Sequence, residues 1–558
     1  MLAGKPSVAI IGGGHNALTA AAYLARAGVE VTVLERLPHV GGAAVSTSGF
    51  AGLDARLSRY SYLVSLLPEQ IIRDLGLDVR LARRRYSSYT PVPHGHPAGA
   101  DRGLLIDAGD EAATRASFAA IGAAGDADGF GRFYDRTTRL AAALFPTLTE
   151  PLPTRDAARA AAGDASAWSE IVDAPIADAI ERAVADDLVR GVIATDALIG
   201  TFAALDDPGL EQNRCLLYHV IGGGTGDWDV PIGGMGRVSG GLEAAARAAG
   251  ATILTGVTVT SVTPDGEVTW EERFGGSLVG SAGARSGTEL TAQFDLVLSA
   301  VAPHVLAGLL GTEADGAAGD AATSAAHAAW PRPEGAQVKV NMLLRRLPRL
   351  RDRSVSPEAA FGGTFHINET YAQLGAAHAA ASAGRVPEPL PCEIYCHSLT
   401  DPTILGDELR ASGAHTLTVF GLHVPDRLLN DDNNERMRGE LERAVLVSLD
   451  SVLAEPIEPL LLQGTGPDGT AAPAIETKTT LDIEAALAMP GGNIFHGPLS
   501  WPWLESEPTG PAEAWGVETP HERILMAGSG ARRGGAVSGI GGHNAAHAAL
   551  ELLAASLP

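Results

Sequence analysis

Short apolar runs and glycine breaks alternate along this chain. Val8-Ala9-Ile10-Ile11 is apolar, Gly12-Gly13-Gly14 interrupts it, and an alanine-rich helical stretch from Asn16 to Ala27 stops at Gly28. A second apolar run ends on Leu34-Glu35. Strand, turn, helix and strand in this order predict one βαβ unit, and with it an α/β fold whose first sheet is parallel. A hairpin-like stretch from Ala44 to Leu57 follows, then the apolar segment Tyr60 to Leu67. Residues 109–220 read as alanine-rich helices broken by Pro151, Pro153 and Pro175, an insertion suited to a substrate lobe.

The alternation resumes at Pro231-Ile232-Gly233-Gly234-Met235-Gly236, a turn that opens a helix from Val238 to Ala249. Ala251 to Val262 reads as one strand, a hairpin with a glycine-rich loop spans 275–287, and Phe294 to Ala300 reads as a buried strand. Residues 311–330 and 372–385 are alanine-rich and read as helix plus loop. Val338 to Leu344 and Leu417 to Phe420 suggest a second sheet. The chain closes with a strand, Arg523 to Ser529, a glycine loop through Gly542, and a helix from Asn544 to Leu553. Interleaved segments follow: cofactor-binding parts at 1–75, 225–310 and 486–558, and a substrate domain of α+β type at 76–224 and 311–485. The expected fold class is therefore a Rossmann-like domain with a parallel sheet plus a second α+β domain.

At 558 residues the chain exceeds one compact core. Its formal charge of −25 argues against nucleic acid and against a basic grip on anionic membrane, and fits a solvated acidic surface. The three cysteines, Cys215, Cys392 and Cys396, supply neither a disulfide framework nor a four-cysteine zinc site, so no metal is expected and a reducing, cytoplasmic setting fits. No uninterrupted apolar stretch of membrane-spanning length and no secretory signal is read from the sequence. Peripheral contact with lipid and self-association stay open.

The candidate chemistry sits at the two glycine junctions. Gly12 permits a tight turn, Gly14 lets backbone approach a pyrophosphate, and Ala17 stands small where a third glycine often lies. A helix N-terminus there offers free N–H groups to phosphate. Glu35 stands where a carboxylate accepts hydrogen bonds from a ribose diol, and it disfavours a 2′-phosphate. The second junction, Gly528 to Gly542, suits the far end of an extended cofactor that carries electrons as an anion, which favours FAD over NAD.

Further motifs carry a family likeness: Arg36 with Gly41-Gly42, Ser58 to Leu67, Tyr86 to Pro91, Pro231 with Gly233 to Gly236, Gly492 to Gly497, and the closing block to Ala546. With these, the chain resembles the FAD-dependent amine oxidase and phytoene desaturase superfamily. Within it, the likeness is to phytoene-dehydrogenase-related proteins of the pyridine nucleotide-disulfide oxidoreductase domain-containing protein 2 branch. The resemblance implies FAD as cofactor. It places Gly12, Gly14 and Ala17 at the pyrophosphate, Glu35 at the ribose, and Arg36, Gly41 and Gly42 along the cofactor. It places the Val259 backbone at the adenine, Gly528 and Ser529 at the ribityl phosphate, and Ala536, Val537 and Ser538 near the flavin ring. The loop Ala531 to Val537 lacks the aromatic residues that amine oxidases place there, and Arg532-Arg533 replaces the His-Pro of many relatives.

Hydride removal by a flavin needs positioning more than a side-chain base. Among His366, His397, His423 and His496, the last, inside Asn-Ile-Phe-His-Gly, is the catalytic candidate; the others read as structural. His15-Asn16 and His543-Asn544 recur at the two junctions, where backbone geometry and capping by asparagine account for them as well as catalysis does. Trp501 and Trp503 read equally as cavity wall or packed loop. The reading is an FAD-dependent oxidoreductase acting on a mostly apolar, isoprenoid-like small molecule. A flavin-containing scaffold and an amine oxidase are the alternatives.

Overall fold

The computed structural model describes residues 5–555 except 94, 98, 100, 225, 273–287, 312–329 and 467. Its first layer is a five-stranded parallel sheet. The strands are β1 (Ser7–Ile11), β2 (Glu30–Glu35), β3 (Thr252–Thr255), β4 (Leu296–Ser299) and β5 (Ile524–Met526), in the order β5-β4-β1-β2-β3. All four residues of β4 are buried, as a central parallel strand requires. Three helices pack around it: α1 (His15–Arg26), α2 (Gly236–Ala249) and α3 (Ile540–Ala555), with α1 against both others. The chain leaves β1 toward β2 and β3 on one side and later fills β4 and β5 on the other. The gap beyond the C-terminal ends of β1 and β4 is thus a switch point, where open α/β sheets bind ligands.

Two expected elements differ. The run from Ala251 to Val262 is two strands: β3 in the parallel sheet, and Val257–Val262 in a three-stranded antiparallel ribbon with Glu267–Glu272 and Thr288–Gln293. Gly256, at φ +73°, turns the chain between them. The α3 helix also begins earlier than Asn544, so Gly541 and Gly542 lie in its first turn. A Cβ on Gly542 would stand 1.8 Å from the Asn16 carbonyl oxygen, so α1 and α3 approach too closely for any side chain. The loop at 275–287 and nearly all of the alanine-rich stretch 311–330 lie outside the described residues.

The second sheet has seven strands in the order Ile475–Lys478, Gln337–Leu344, His415–Leu422, Cys392–Tyr395, Thr364–Ile367, Tyr86–Pro91 and Gly103–Asp107. Its pairs are antiparallel except Thr364–Ile367 with Tyr86–Pro91. Gln337–Leu344 is buried at every position. Seven α-helices between Glu111 and Val220 form a lobe with its own apolar core. Polar caps fix their starts: Asp110 accepts from Ala113 N–H, Thr154 from Ala157, Asp164 from Ala167, and Asp186 from Leu188 and Val189. In the helix Ala127–Leu144 the buried residues Phe133, Thr137, Leu140, Ala141 and Leu144 form one stripe. Trp503 is 1% exposed and packs at 4.8 Å on Trp168 in this lobe. Among the described residues, no helix is long and apolar enough to cross a membrane.

Candidate functional site

At the switch point the chain turns sharply after β1. Gly12, at φ +92°, donates its N–H to Leu34 O at 2.8 Å and stands 3.3 Å, measured from a would-be Cβ, from Val301. Gly14 is the N-cap of α1 and, having no side chain, makes no capping bond to the first-turn N–H groups. That leaves the helix terminus with unfilled donors and the positive end of its dipole. Glu35 ends β2. Its Oε2 accepts from Gly13 N–H at 2.6 Å and its Oε1 from Leu37 N–H at 2.7 Å. Two backbone donors fix the carboxylate while each oxygen keeps a lone pair for a further donor.

A cleft of about 1730 Å³ of free space, its open mouth included, runs from this turn to the junction before α3. Of the sequence-predicted residues, Gly12, Gly14, Ala17, Glu35, Arg36, Gly42, Val259, Ser529, Ala536, Val537 and His496 line it. Gly41, Gly528 and Ser538 stand outside the lining. Gly41 donates to Gly13 O at 2.8 Å, and a Cβ on Gly528 would meet Ala300 O at 2.6 Å. Ser538 Oγ accepts from Ile540 N–H at 3.2 Å at the start of α3. Val259 reaches the cleft from the antiparallel ribbon, opposite Trp270, and not from the parallel sheet. Arg36 donates to Ala486 O at 3.0 Å.

His496 and Ala536 both line the cleft with left-handed backbones, φ +65° and +54°. Non-glycine residues adopt this region at a cost and concentrate it at working sites. His15 lies in the first turn of α1, with Nε2 3.1 Å from Ala536 O, so it ties the first junction to the last. Burial lowers His15 and His496 to about 4, so both rings are neutral at pH 7. Asn16 is no cap. Its side chain is buried in the cleft wall with Oδ1 unpartnered. At the second junction the asparagine is likewise no cap: Asn544 Nδ2 donates to Leu148 O at 3.1 Å, and its Oδ1 lies 2.8 Å from His543 Nδ1.

Among the described residues, four buried polar atoms around the cleft have no protein partner: Asn16 Oδ1, Thr258 Oγ1, Gln337 Oε1 and His496 Nδ1. Each such atom costs about 1–3 kcal/mol unless something bonds it. Orphaned polar atoms, a bare helix N-terminus and a fixed carboxylate fit an extended polar cofactor such as FAD.

The segment Tyr60 to Leu67 reads from sequence either as core or as the lining of an apolar tunnel; Tyr60 and Tyr62 face the cleft, joined by Trp228 and Phe420, which the sequence reading did not place there. Tyr62 packs at 4.7 Å on Phe420 and 4.6 Å on Tyr395. Lys339, 1% exposed, sits beneath them. Its Nζ donates to Ser58 O at 3.1 Å and Tyr60 O at 2.6 Å, and burial holds its pKa well below the ordinary lysine range. A lysine between Val338 and Val340 in a strand-like run was the visible signal. Trp501 and Trp503 do not wall this cleft. Arg533 turns away from it. It is 1% exposed and donates to the carbonyls of Thr147, Glu150 and Trp515, stapling the C-terminal loop to the helical lobe. His397 and His423 are buried elsewhere, both lowered to about 3 by burial.

The NAD(P)-binding Rossmann-like domain family matches residues 10–62. An uncharacterized protein of Mycobacterium tuberculosis is 55% identical over 556 residues, covering 98% of this chain and 97% of that one. The pyridine nucleotide-disulfide oxidoreductase domain-containing protein 2 of Rattus norvegicus is 29% identical over 572 residues, covering 96% and 92%. Among solved structures, putrescine oxidase bound to putrescine superposes with a TM-score of 0.53 at 16% identity, covering 99% of each chain, a likeness of fold.

Proposed function

We propose that this chain, which belongs to one family with its mycobacterial relatives and shares the fold of putrescine oxidase, is an oxidoreductase whose cofactor is FAD and whose substrate is a mostly apolar, isoprenoid-like small molecule. The observation that carries this reading is the single cleft joining the bare α1 terminus, the Glu35 carboxylate and the Ala536-Val537 junction. In this reading the N–H groups after Gly12 and Gly14 hold a pyrophosphate, with Ala17 giving room for close packing. Glu35 holds the adenosine ribose, and the Val259 backbone meets the adenine. Arg36 and Gly42 lie along the cofactor, Ser529 flanks its middle, and Ala536 and Val537 border the ring, while Gly41, Gly528 and Ser538 shape these turns from outside the lining. When bound, the flavin supplies hydride acceptance.

The chain's own residues then do three things. Tyr62, Trp228 and Phe420 present an apolar face that orients a substrate and excludes water. Lys339 fixes the Ser58 to Tyr60 backbone on which Tyr60 and Tyr62 stand. His496, neutral at pH 7, offers Nδ1 to a proton released from the substrate. Three buried, unpaired thiols suit a cytoplasmic setting. The test is the visible spectrum of the purified protein before and after acid precipitation. A two-band flavin spectrum that follows the supernatant supports non-covalent FAD. A colourless protein that takes up no added FAD overturns the reading. Anaerobic bleaching by terpenoids, and failure to bleach with amines, supports the substrate class.

A further inference from the structure

A second cavity abuts the first. It holds about 1200 Å³ of free space, open mouth included, and shares His219 and Trp228 with the cofactor cleft. These two rings stack at 4.9 Å, and Trp228 Nε1 donates to His219 O at 3.1 Å, so together they border both spaces where the two adjoin. On the cleft side Tyr62 lies parallel to Trp228 at 6.1 Å. The second cavity differs in chemistry: Arg84, Ser88, Tyr134, Asp196, Thr364 and His366 line it.

Most of its charge is already committed. Arg83 at the mouth pairs with Asp227 at 2.8 Å and Asp229 at 3.7 Å. His366 lies 3.8 Å from Glu393, with Nδ1 3.1 Å from Thr90 Oγ1. Asp196 accepts from the Tyr134 hydroxyl at 3.3 Å, and burial raises its pKa toward the protonated, neutral form. Arg84 is different. Its Nε donates to Trp228 O at 3.2 Å and its Nη1 to Thr364 Oγ1 at 3.1 Å, both neutral acceptors. Among the described residues it makes no ion pair, its guanidinium lies 5.8 Å from the Tyr395 ring, and burial works against its charge. A guanidinium carries five donors in a planar fork that matches a carboxylate.

We infer that the second cavity is the head-group chamber of the same active site, in which Arg84 binds the carboxylate of an amphiphilic acid whose apolar body passes the His219–Trp228 pair into the cofactor cleft. This deepens the reading above and rests on it only for what happens at the reacting end. A substrate held at both ends explains why a polar chamber with one unpaired arginine stands behind an aromatic wall.

The test compares octanoate with 1-octanol, equal in chain length, by calorimetric titration into the purified protein as isolated. Octanoate is expected to bind about tenfold or more tighter, the usual worth of a hydrogen bond to a charged group. In Arg84→Gln, which keeps a side chain able to reach Thr364, the preference is expected to vanish while 1-octanol binding stays. Arg84→Met provides the same readout should the glutamine variant not fold. Equal binding of acid and alcohol to the native protein overturns the proposal, as does an undiminished preference in either folded variant. The flavin spectrum of the same sample separates the two readings. A colourless protein with Arg84-dependent octanoate binding overturns the oxidoreductase reading and keeps the chamber. A yellow protein without the preference overturns the chamber alone.

Discussion

A single methyl group separates the fold of the first turn from its ligand. Gly14 sits at φ −70° and ψ 173°, a conformation that alanine adopts without strain, and a Cβ there would meet no heavy atom within 4 Å. In Gly14→Ala the cost to the apoprotein is therefore limited to a poorer N-cap, about 1 kcal/mol or less. In the proposed FAD reading the added methyl occupies space that a pyrophosphate would need. Displacing a phosphate oxygen by about 1 Å stretches an N–H···O contact from about 2.9 Å to about 3.9 Å, beyond hydrogen bonding. Two such charge-assisted bonds at about 1.5 kcal/mol each amount to about 3 kcal/mol, or roughly a hundredfold in Kd. The assay is reconstitution of apoprotein with FAD, followed by quenching of flavin fluorescence, beside thermal unfolding of the same apoprotein. An unchanged Kd in a variant that unfolds at the native temperature refutes the placement of phosphate at the α1 terminus.

Gly542→Ala should do the reverse. Its Cβ would stand 1.8 Å from Asn16 O, a backbone clash costing about 1–3 kcal/mol or more, visible as a lower unfolding temperature of the apoprotein. Trp503→Ala should destabilise the protein by about 3–5 kcal/mol through the lost packing on Trp168. Because Trp503 lies outside the cleft, the flavin spectrum of the folded fraction should not change; a shifted spectrum would sink that assignment. Acid should weaken the fold through His15 and His496. In the unfolded chain each takes up a proton near the ordinary imidazole value of about 6.5, while in the folded chain burial defers uptake to about 4. Their contribution is complete above about pH 6.5 and falls toward pH 4, by up to about 1.4 kcal/mol per pH unit for each ring. Urea midpoints at pH 7.5 and 5 measure it, and His496→Asn should flatten the slope.

The first βαβ unit was legible because its determinants are local. An apolar run, a three-glycine turn and an alanine stretch ending at Gly28 fix Ser7–Ile11, His15–Arg26 and Glu30–Glu35 within a residue or two. The split at Gly256 was not legible. Both halves of 251–262 carry strand residues, and only their different partners, β2 for one and Trp270's strand for the other, separate them. The start of α3 was hidden for a related reason. Glycine costs about 1 kcal/mol in a helix, so Gly541-Gly542 reads as loop until the Asn16 carbonyl beside it is known.

The cleft itself shows where local reading stops. Its glycines announce themselves, since a tight turn and a bare helix end need only neighbouring residues. Its opposite wall is assembled from Tyr62, Trp228, Lys339 and Phe420, each drawn from a different stretch of chain. No spacing rule links them, because a seven-stranded sheet and a helical lobe must fold before they meet. Lys339 makes the point most sharply. In sequence it alternates with Gln337 and Asn341 opposite Val338 and Val340, a pattern that suggests a solvated strand face. In the fold it is buried because the carbonyls of Ser58 and Tyr60 replace its water, and those carbonyls are at hand because residues 58–61 lie against the strand Gln337–Leu344, where Asn341 Nδ2 also donates to Arg59 O at 3.4 Å. The nucleotide half of such a site is written in local geometry, while the substrate half is written in packing between remote segments.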